Sequence, residues 1–214
     1  MDSSSIKVIT CNNNELKTNS YVLIYQNYSI VIDPNNFDEI KIALEGSKLE
    51  YILLTHEHFD HILAVNELKK LFNPKIIAQE FTSNNIQSSS KNLSKFSEVI
   101  FDFMNKTPTS KIAEISLKNA DIEYDDDFIL NWHEQTIFFK HTPGHTKGSS
   151  CILVDNYLFT GDSLFKDIDT SFLGGKKMKN DYENITMPFF YSLDKKTKVF
   201  PGHFDSFVLN DKLF

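Results

Sequence analysis

The stretch Tyr51-Ile52-Leu53-Leu54-Thr55-His56-Glu57-His58-Phe59-Asp60-His61 joins a strand-length apolar run directly to three imidazoles and the Asp60 carboxylate within six positions. A short run rich in Tyr, Ile and Leu reads as a strand covered on both faces. The polar string then falls on the loop at the strand's end, where side chains leave the core and converge on a common space. Imidazole nitrogen and carboxylate oxygen are the ligand atoms preferred by zinc, and they also suit iron and manganese.

Three later stretches repeat this arrangement. His145 follows the run Thr136 to Lys140 through His141-Thr142-Pro143-Gly144. Asp162 follows Tyr157 to Thr160 through Gly161, and His203 follows Lys198 to Phe200 through Pro201-Gly202. Each is an apolar strand, a glycine that lets the backbone turn tightly, and then a ligand-type side chain. Five His and two Asp are too many for one tetrahedral ion and suit two ions sharing one carboxylate.

Outward from these points, further strand-length runs lie at Ile6 to Thr10, Tyr21 to Tyr25, Ser29 to Ile32, Lys75 to Ala78 and Cys151 to Val154. Gln26-Asn27 and Asp155-Asn156 join neighbouring runs as tight turns, which predicts two antiparallel hairpins. Phe37 to Leu44 and Ile62 to Phe72 each place apolar residues on one helical face. Apolar strands accompanied by one-sided helices predict an α/β protein whose sheets are covered by helices. Residues 81–119 are the least regular, with a helix expected over Ser94 to Asn105, and read as an insertion or lid within one domain spanning 1–214.

Composition narrows the function classes. All 22 basic residues are Lys against 29 Asp plus Glu, a formal charge of −7. That balance opposes a phosphate-neutralising surface, so nucleic acid is not an expected partner. The absence of Arg removes any bidentate guanidinium clamp on a substrate. No window approaches the ~20 apolar residues of a membrane helix, and the N-terminus lacks a signal-peptide pattern, so no membrane partner and a cytoplasmic location are expected. Cys11 and Cys151 stand in strand-like runs without metal-site spacing and are expected to be buried thiols.

These residues and their spacing resemble the metallo-β-lactamase fold superfamily along the whole chain. The resemblance implies a four-layer αβ/βα sandwich with its metals at one edge. It also implies that His56, His58 and His145 hold one ion, that Asp60, His61 and His203 hold a second, and that Asp162 bridges them. The wording Thr-Pro-Gly-His-Thr-x-Gly-Ser (Thr142 to Ser149) and Leu-Phe-Thr-Gly-Asp-Ser-Leu-Phe (Leu158 to Phe165) is similar to the glyoxalase II-related hydrolases. Two features depart from them: Ile62-Leu63-Ala64 replaces the Gly that commonly follows the first motif, and no Gly-Arg-Thr-Asp pattern follows Asp162. With 11 residues after His203, the helical domain that supplies glutathione contacts in long glyoxalase II enzymes is not expected here.

By this resemblance the chain is expected to be a hydroxyacylglutathione hydrolase-like enzyme, binding two divalent ions, zinc first with iron or manganese as alternatives. Its expected substrate is a small ester or thioester, attacked by a hydroxide between the ions that Asp60 orients. The rivals are a mononuclear iron persulfide dioxygenase of the same fold and a metal-binding protein without turnover. Around the ligands, Asp33 at the end of a strand is a candidate acceptor for an imidazole's second nitrogen, and His141 a support for the His145 loop. Lys176 and Lys177 are candidates to draw an anionic substrate inward, and Phe172, Phe189, Phe190 and Tyr191 to line a pocket.

Overall fold

Alternation along the strands builds the layers. In β2 (Thr18–Tyr25), β3 (Tyr28–Ile32), β4 (Lys48–Leu53) and β5 (Lys75–Gln79), neighbouring residues face opposite sides of the sheet. Val22, Val31, Ile52 and Ile76 point one way, onto Ile40 and Ala43 of α1 (Phe37–Ala43) and Val65 and Leu68 of α2 (Val65–Phe72). Leu23, Ile30, Leu53 and Ile77 point the other way, into a core shared with a second sheet.

The second sheet repeats the pattern. Ile152 of β9 (Ser150–Val154), Phe159 of β10 (Tyr157–Gly161) and Phe200 of β11 (Lys198–Pro201) enter the shared core. Their neighbours Cys151, Leu158 and Val199 face outward onto Tyr182 and onto Phe190 of α6 (Met187–Ser192). Three apolar layers between helix, sheet, sheet and helix are the four-layer α/β sandwich that the resemblance implied. The computed structural model describes residues 5–103, 105, 107, 111–171 and 173–209; Phe172 lies outside them.

The first sheet runs in sequence order from β1 (Lys7–Asn13) through β2, β3, β4 and β5 to β6 (Ile122–Tyr124). The second has the order β12 (Phe207–Val208), β11, β10, β9, β8 (Gln135–His141), β7 (Phe128–Trp132). The chain therefore passes from one sheet to the other at Asp125-Asp126-Asp127. Both expected hairpins form, β2 with β3 and β9 with β10, while β3 to β6 and the pair β10 with β11 are parallel.

Within residues 81–119, α3 (Glu80–Asn85) and α4 (Ser97–Phe103) form, the latter preceded by a 3-10 turn at Ser94–Phe96. This segment is tied to the turn that carries His58, Asp60 and His61: the Phe59 amide donates to the Asn92 carbonyl at 2.8 Å. α5 (Gly175–Asp181) was not legible in the sequence, and it runs into a π-helical turn at Tyr182–Thr186. Among the described residues, no helix is long and apolar enough to cross a membrane. Cys11 and Cys151 are free and buried in different layers, where burial pushes both thiols up to about 12.

Candidate metal centre

One edge of the sandwich gathers the ends of β3, β4, β8, β10 and β11. β4 delivers Thr55 and His56, and a single 3-10 turn at Phe59–His61 brings Asp60 and His61 back beside them. The end of β3 delivers Asp33, 2% exposed. Asp33 Oδ1 accepts the Thr55 amide at 2.8 Å, and Oδ2 accepts the Thr55 hydroxyl at 2.5 Å. Oδ2 also lies 3.0 Å from His61 Nδ1.

This small network sets two imidazoles. A hydroxyl has one proton, so Thr55, having given it to Asp33, can only accept from His56 Nδ1 at 3.0 Å. Protons at both Nδ1 atoms leave the Nε2 atoms of His56 and His61 as the ones facing the cleft. Asp33 thus stands where an acceptor for an imidazole's far nitrogen was expected.

From the second sheet come His145, Asp162 and His203. His145 Nε2 lies 3.0 Å from His58 Nδ1, and the ring centroids of His56, His58 and His145 are 4.7 to 4.8 Å apart. Nε2 of His203 is 3.4 Å from Asp60 Oδ2, and Nε2 of His61 is 3.7 Å from the same oxygen. Asp162 lies between these groups: Oδ1 is 3.4 Å from His61 Nε2, while Oδ2 is 3.5 Å from both His145 Nε2 and His203 Nε2. All seven expected residues therefore meet at one place. His58, Asp60, Asp162 and His203 floor an open cavity of about 290 Å³.

Several residues that the sequence reading did not single out hold this geometry. Thr18 donates to Asp60 Oδ2 at 3.0 Å, and the Lys17 carbonyl lies 2.9 Å from His203 Nδ1. The Asn19 side-chain amide and the Tyr21 hydroxyl both donate to the Pro201 carbonyl. Buried Glu57 accepts from Thr146 Oγ1 and Asn85 Nδ2, each at 2.9 Å, pinning the His56 turn to the residue after His145. A Cβ at Gly202 would collide with Asp162 Oδ1 and stand 2.7 Å from His61 Cε1. Its glycine was visible in the sequence; the contact that requires it was not.

Electrostatics divide the imidazoles. Burial, reinforced by the other imidazoles, holds His56 well below the usual histidine range, and burial also lowers His58. Burial takes His145 to about 4. Burial opposes charge on His61 and His203 too, but there Asp60 and Asp162 outweigh it: His61 is held well above its usual range and His203 is raised to about 10. Both carboxylates are reciprocally lowered, burial being overcome by His61 and His203.

The donor set fits a divalent metal. His56 Nε2, His61 Nε2 and Asp162 Oδ1 are buried without a well-formed hydrogen bond. A buried polar atom left unpaired costs about 1–3 kcal/mol. Three such atoms turned toward one cleft make sense if a cation completes them, and His56, His58 and His145 as well as Asp60, His61 and His203 are spaced to hold one.

The supporting candidates lie as follows. His141 Nε2 donates to the Lys147 carbonyl at 2.9 Å, closing the base of the loop that carries His145. Lys176 and Lys177 are exposed in the first turn of α5 and do not line the cavity. Phe190 is in the outer apolar layer, against which Phe189 packs, and Tyr191 is 54% exposed.

Comparison with known proteins agrees with this fold. A family model of the metallo-beta-lactamase superfamily matches residues 13–203. The chain belongs to that superfamily. Among curated relatives, the hydroxyacylglutathione hydrolase of Pelagibacter ubique is 30% identical over 92% of this chain and 70% of its own length. The chain spans between 55% and 70% of the lengths of the first relatives it matches. Among solved metallo-beta-lactamase folds, the BLEG-1 B3 metallo-beta-lactamase superposes with a TM-score of 0.72 at 25% identity, covering 94% of both chains. ETHE1 from Myxococcus xanthus shares the fold at a TM-score of 0.64 and 19% identity, over 93% of this chain and 76% of that one.

Proposed function

We propose that the chain binds two divalent ions, zinc in the first instance with iron or manganese as alternatives, and hydrolyses a small ester or thioester. The observation that carries this reading is the position of Asp162, whose carboxylate faces His145 on one side and His61 and His203 on the other. In this reading His56, His58 and His145 hold one ion, Asp60, His61 and His203 hold the other, and Asp162 is shared. Such ions, when bound, supply Lewis acidity toward a carbonyl oxygen and bring the pKa of a water toward neutrality.

The chain's own residues then orient the reaction. Asp60 lines the cavity, with Oδ2 fixed by Thr18. Ionised as a ligand of the second ion, it would accept a hydrogen bond from the attacking water and fix its direction. A carboxylate kept ionised by a bound cation is a poor proton store, so the proton moves on to the departing alkoxide or thiolate. Side-chain nucleophiles are not needed: Thr146 donates to Glu57, Ser149 Oγ accepts the Thr146 amide, and both are buried.

A single-iron dioxygenase reading would leave Asp60, His61 and His203 without employment, which favours the hydrolase. The test is a panel of esters and thioesters, hydroxyacylglutathione included, run beside a low-molecular-weight persulfide and assayed with zinc, manganese and iron forms while oxygen uptake is followed. Hydrolysis without oxygen consumption is expected. Oxygen consumption, or two bound ions with no turnover of any substrate, would replace this reading with the dioxygenase or with metal binding alone.

A further inference from the structure

The cavity above the clustered ligands has a second, apolar side that the catalytic reading does not use. Leu16, Phe59, Leu93 and Ile100 line it, drawn from the β1–β2 turn, the ligand-bearing 3-10 turn, the loop before α4, and α4 itself. They belong to one apolar cluster backed by buried Phe101, with Ile112 and Ile115 packed against it. None of the residues lining the cavity is a lysine, and the chain has no Arg.

Leu93 is placed at a conformational cost. Its φ of 68° and ψ of 0° lie in the left-handed region, which a leucine avoids. The neighbours on both sides hold it there. Asn92 is fully buried, its side chain donating to the Ile86 and Ile115 carbonyls and accepting the Ser94 amide. Ser94 Oγ accepts the Ile115 amide at 2.8 Å. The Asn92 carbonyl takes the Phe59 amide, so the loop is fastened to the turn that carries Asp60. Strain that the surroundings over-determine, at the wall of a cleft, points to a side chain whose position matters for a ligand.

We infer that this wall receives the acyl group of the substrate, and that the acyl group is an uncharged aliphatic chain. The inference rests on the hydrolase reading and specifies its substrate. A cavity of about 290 Å³ is about twice the ~150 Å³ that takes a benzene-sized guest, so with ions and a water seated against its polar floor it still has space for the reacting carbonyl and a short aliphatic chain. A carboxylate at the far end of that chain meets apolar side chains and no cation. It would lose its hydration without compensation.

The experiment compares kcat/KM for acetyl, butyryl, hexanoyl and succinyl esters of one leaving group, in the parent, Leu93→Asn and Ile100→Ala. Asn tolerates the left-handed backbone, so Leu93→Asn keeps the loop while replacing the apolar surface. In the parent, kcat/KM is expected to rise about threefold to fourfold per methylene from acetyl to butyryl, with succinyl at least tenfold below butyryl. Both variants should flatten that slope while still binding metal at the parent stoichiometry. Equal rates on all acyl groups, a preference for succinyl, or an unchanged slope in both variants would overturn the inference. If nothing is turned over, the hydrolase reading fails separately, and the wall is read from binding of acetate, butyrate and hexanoate to the metal-loaded protein. Affinity rising with chain length in the parent and flat in Leu93→Asn upholds the wall; equal affinities refute it.

Discussion

The Thr18 hydroxyl donates to Asp60 Oδ2 across 3.0 Å, joining the first residue of β2 to a ligand-type carboxylate 42 positions later. Thr18 is fully buried, so no water substitutes for it. Thr18→Val preserves shape and deletes the donor. We expect the affinity of the Asp60, His61 and His203 set for zinc to fall about 10- to 100-fold, the usual cost of losing a residue that orients a ligand. Thr18→Ser should retain most of it. Competition with a chromophoric chelator measures both, and equal affinity in Thr18→Val would remove Thr18 from this role.

Stoichiometry tests the proposed division of ligands. Saturated protein should carry two ions per chain, and Asp162→Ala should lose the second most severely because its carboxylate serves both. Elemental analysis finding one ion at saturation, unchanged by Asp162→Ala, would favour the dioxygenase.

Proton release should distinguish the two sets. In the metal-free protein His61 is held well above its usual range and His203 titrates at about 10, so both carry protons at pH 7. His56, His58 and His145 are lowered and already neutral there. Zinc entering the Asp60, His61 and His203 set must displace protons, and its affinity should rise with pH from 7 toward 10. The other set should be flat across that window. Calorimetry in buffers of different ionisation enthalpy measures the protons released. His203 also bears on stability: its raised pKa helps the metal-free fold fully below about pH 6.5, and the help is lost as pH climbs toward 10. Metal-free protein should therefore lose melting temperature over that range relative to the metal-loaded form.

What the sequence made legible follows from how local each signal is. His56 to His61 announce themselves because a strand and four ligand-type residues are contiguous, and Asp33 because it ends a strand. β6 is only three residues long and gives no period to detect. Asn19 meets Pro201 from 182 positions away, and Thr146 meets Glu57 from 89. Such partners are common residue types whose importance exists only after the two sheets have met. Leu93 was equally hidden, since a leucine in a left-handed turn is what propensity argues against.

Lys176 and Lys177 offer a check on substrate charge. Both are exposed and absent from the cavity lining, so any influence reaches the cleft as a screened field. Lys176→Ala/Lys177→Ala should change kcat/KM for a glutathione thioester by less than about threefold, and that change should vanish at high salt. A larger loss that survives salt would indicate direct contact with substrate.

The crossing at Asp125-Asp126-Asp127 divides the chain into two stretches, and neither owns all the residues of either proposed set. His56, His58, Asp60 and His61 precede it; His145, Asp162 and His203 follow it. An ion bound as proposed is therefore a clasp between two halves, and its binding energy is also cohesion energy. A chain cut at the crossing would yield two pieces whose grip on one another tightens as zinc is added and loosens under a chelator. The protein's wholeness and its metal occupancy would then be one equilibrium.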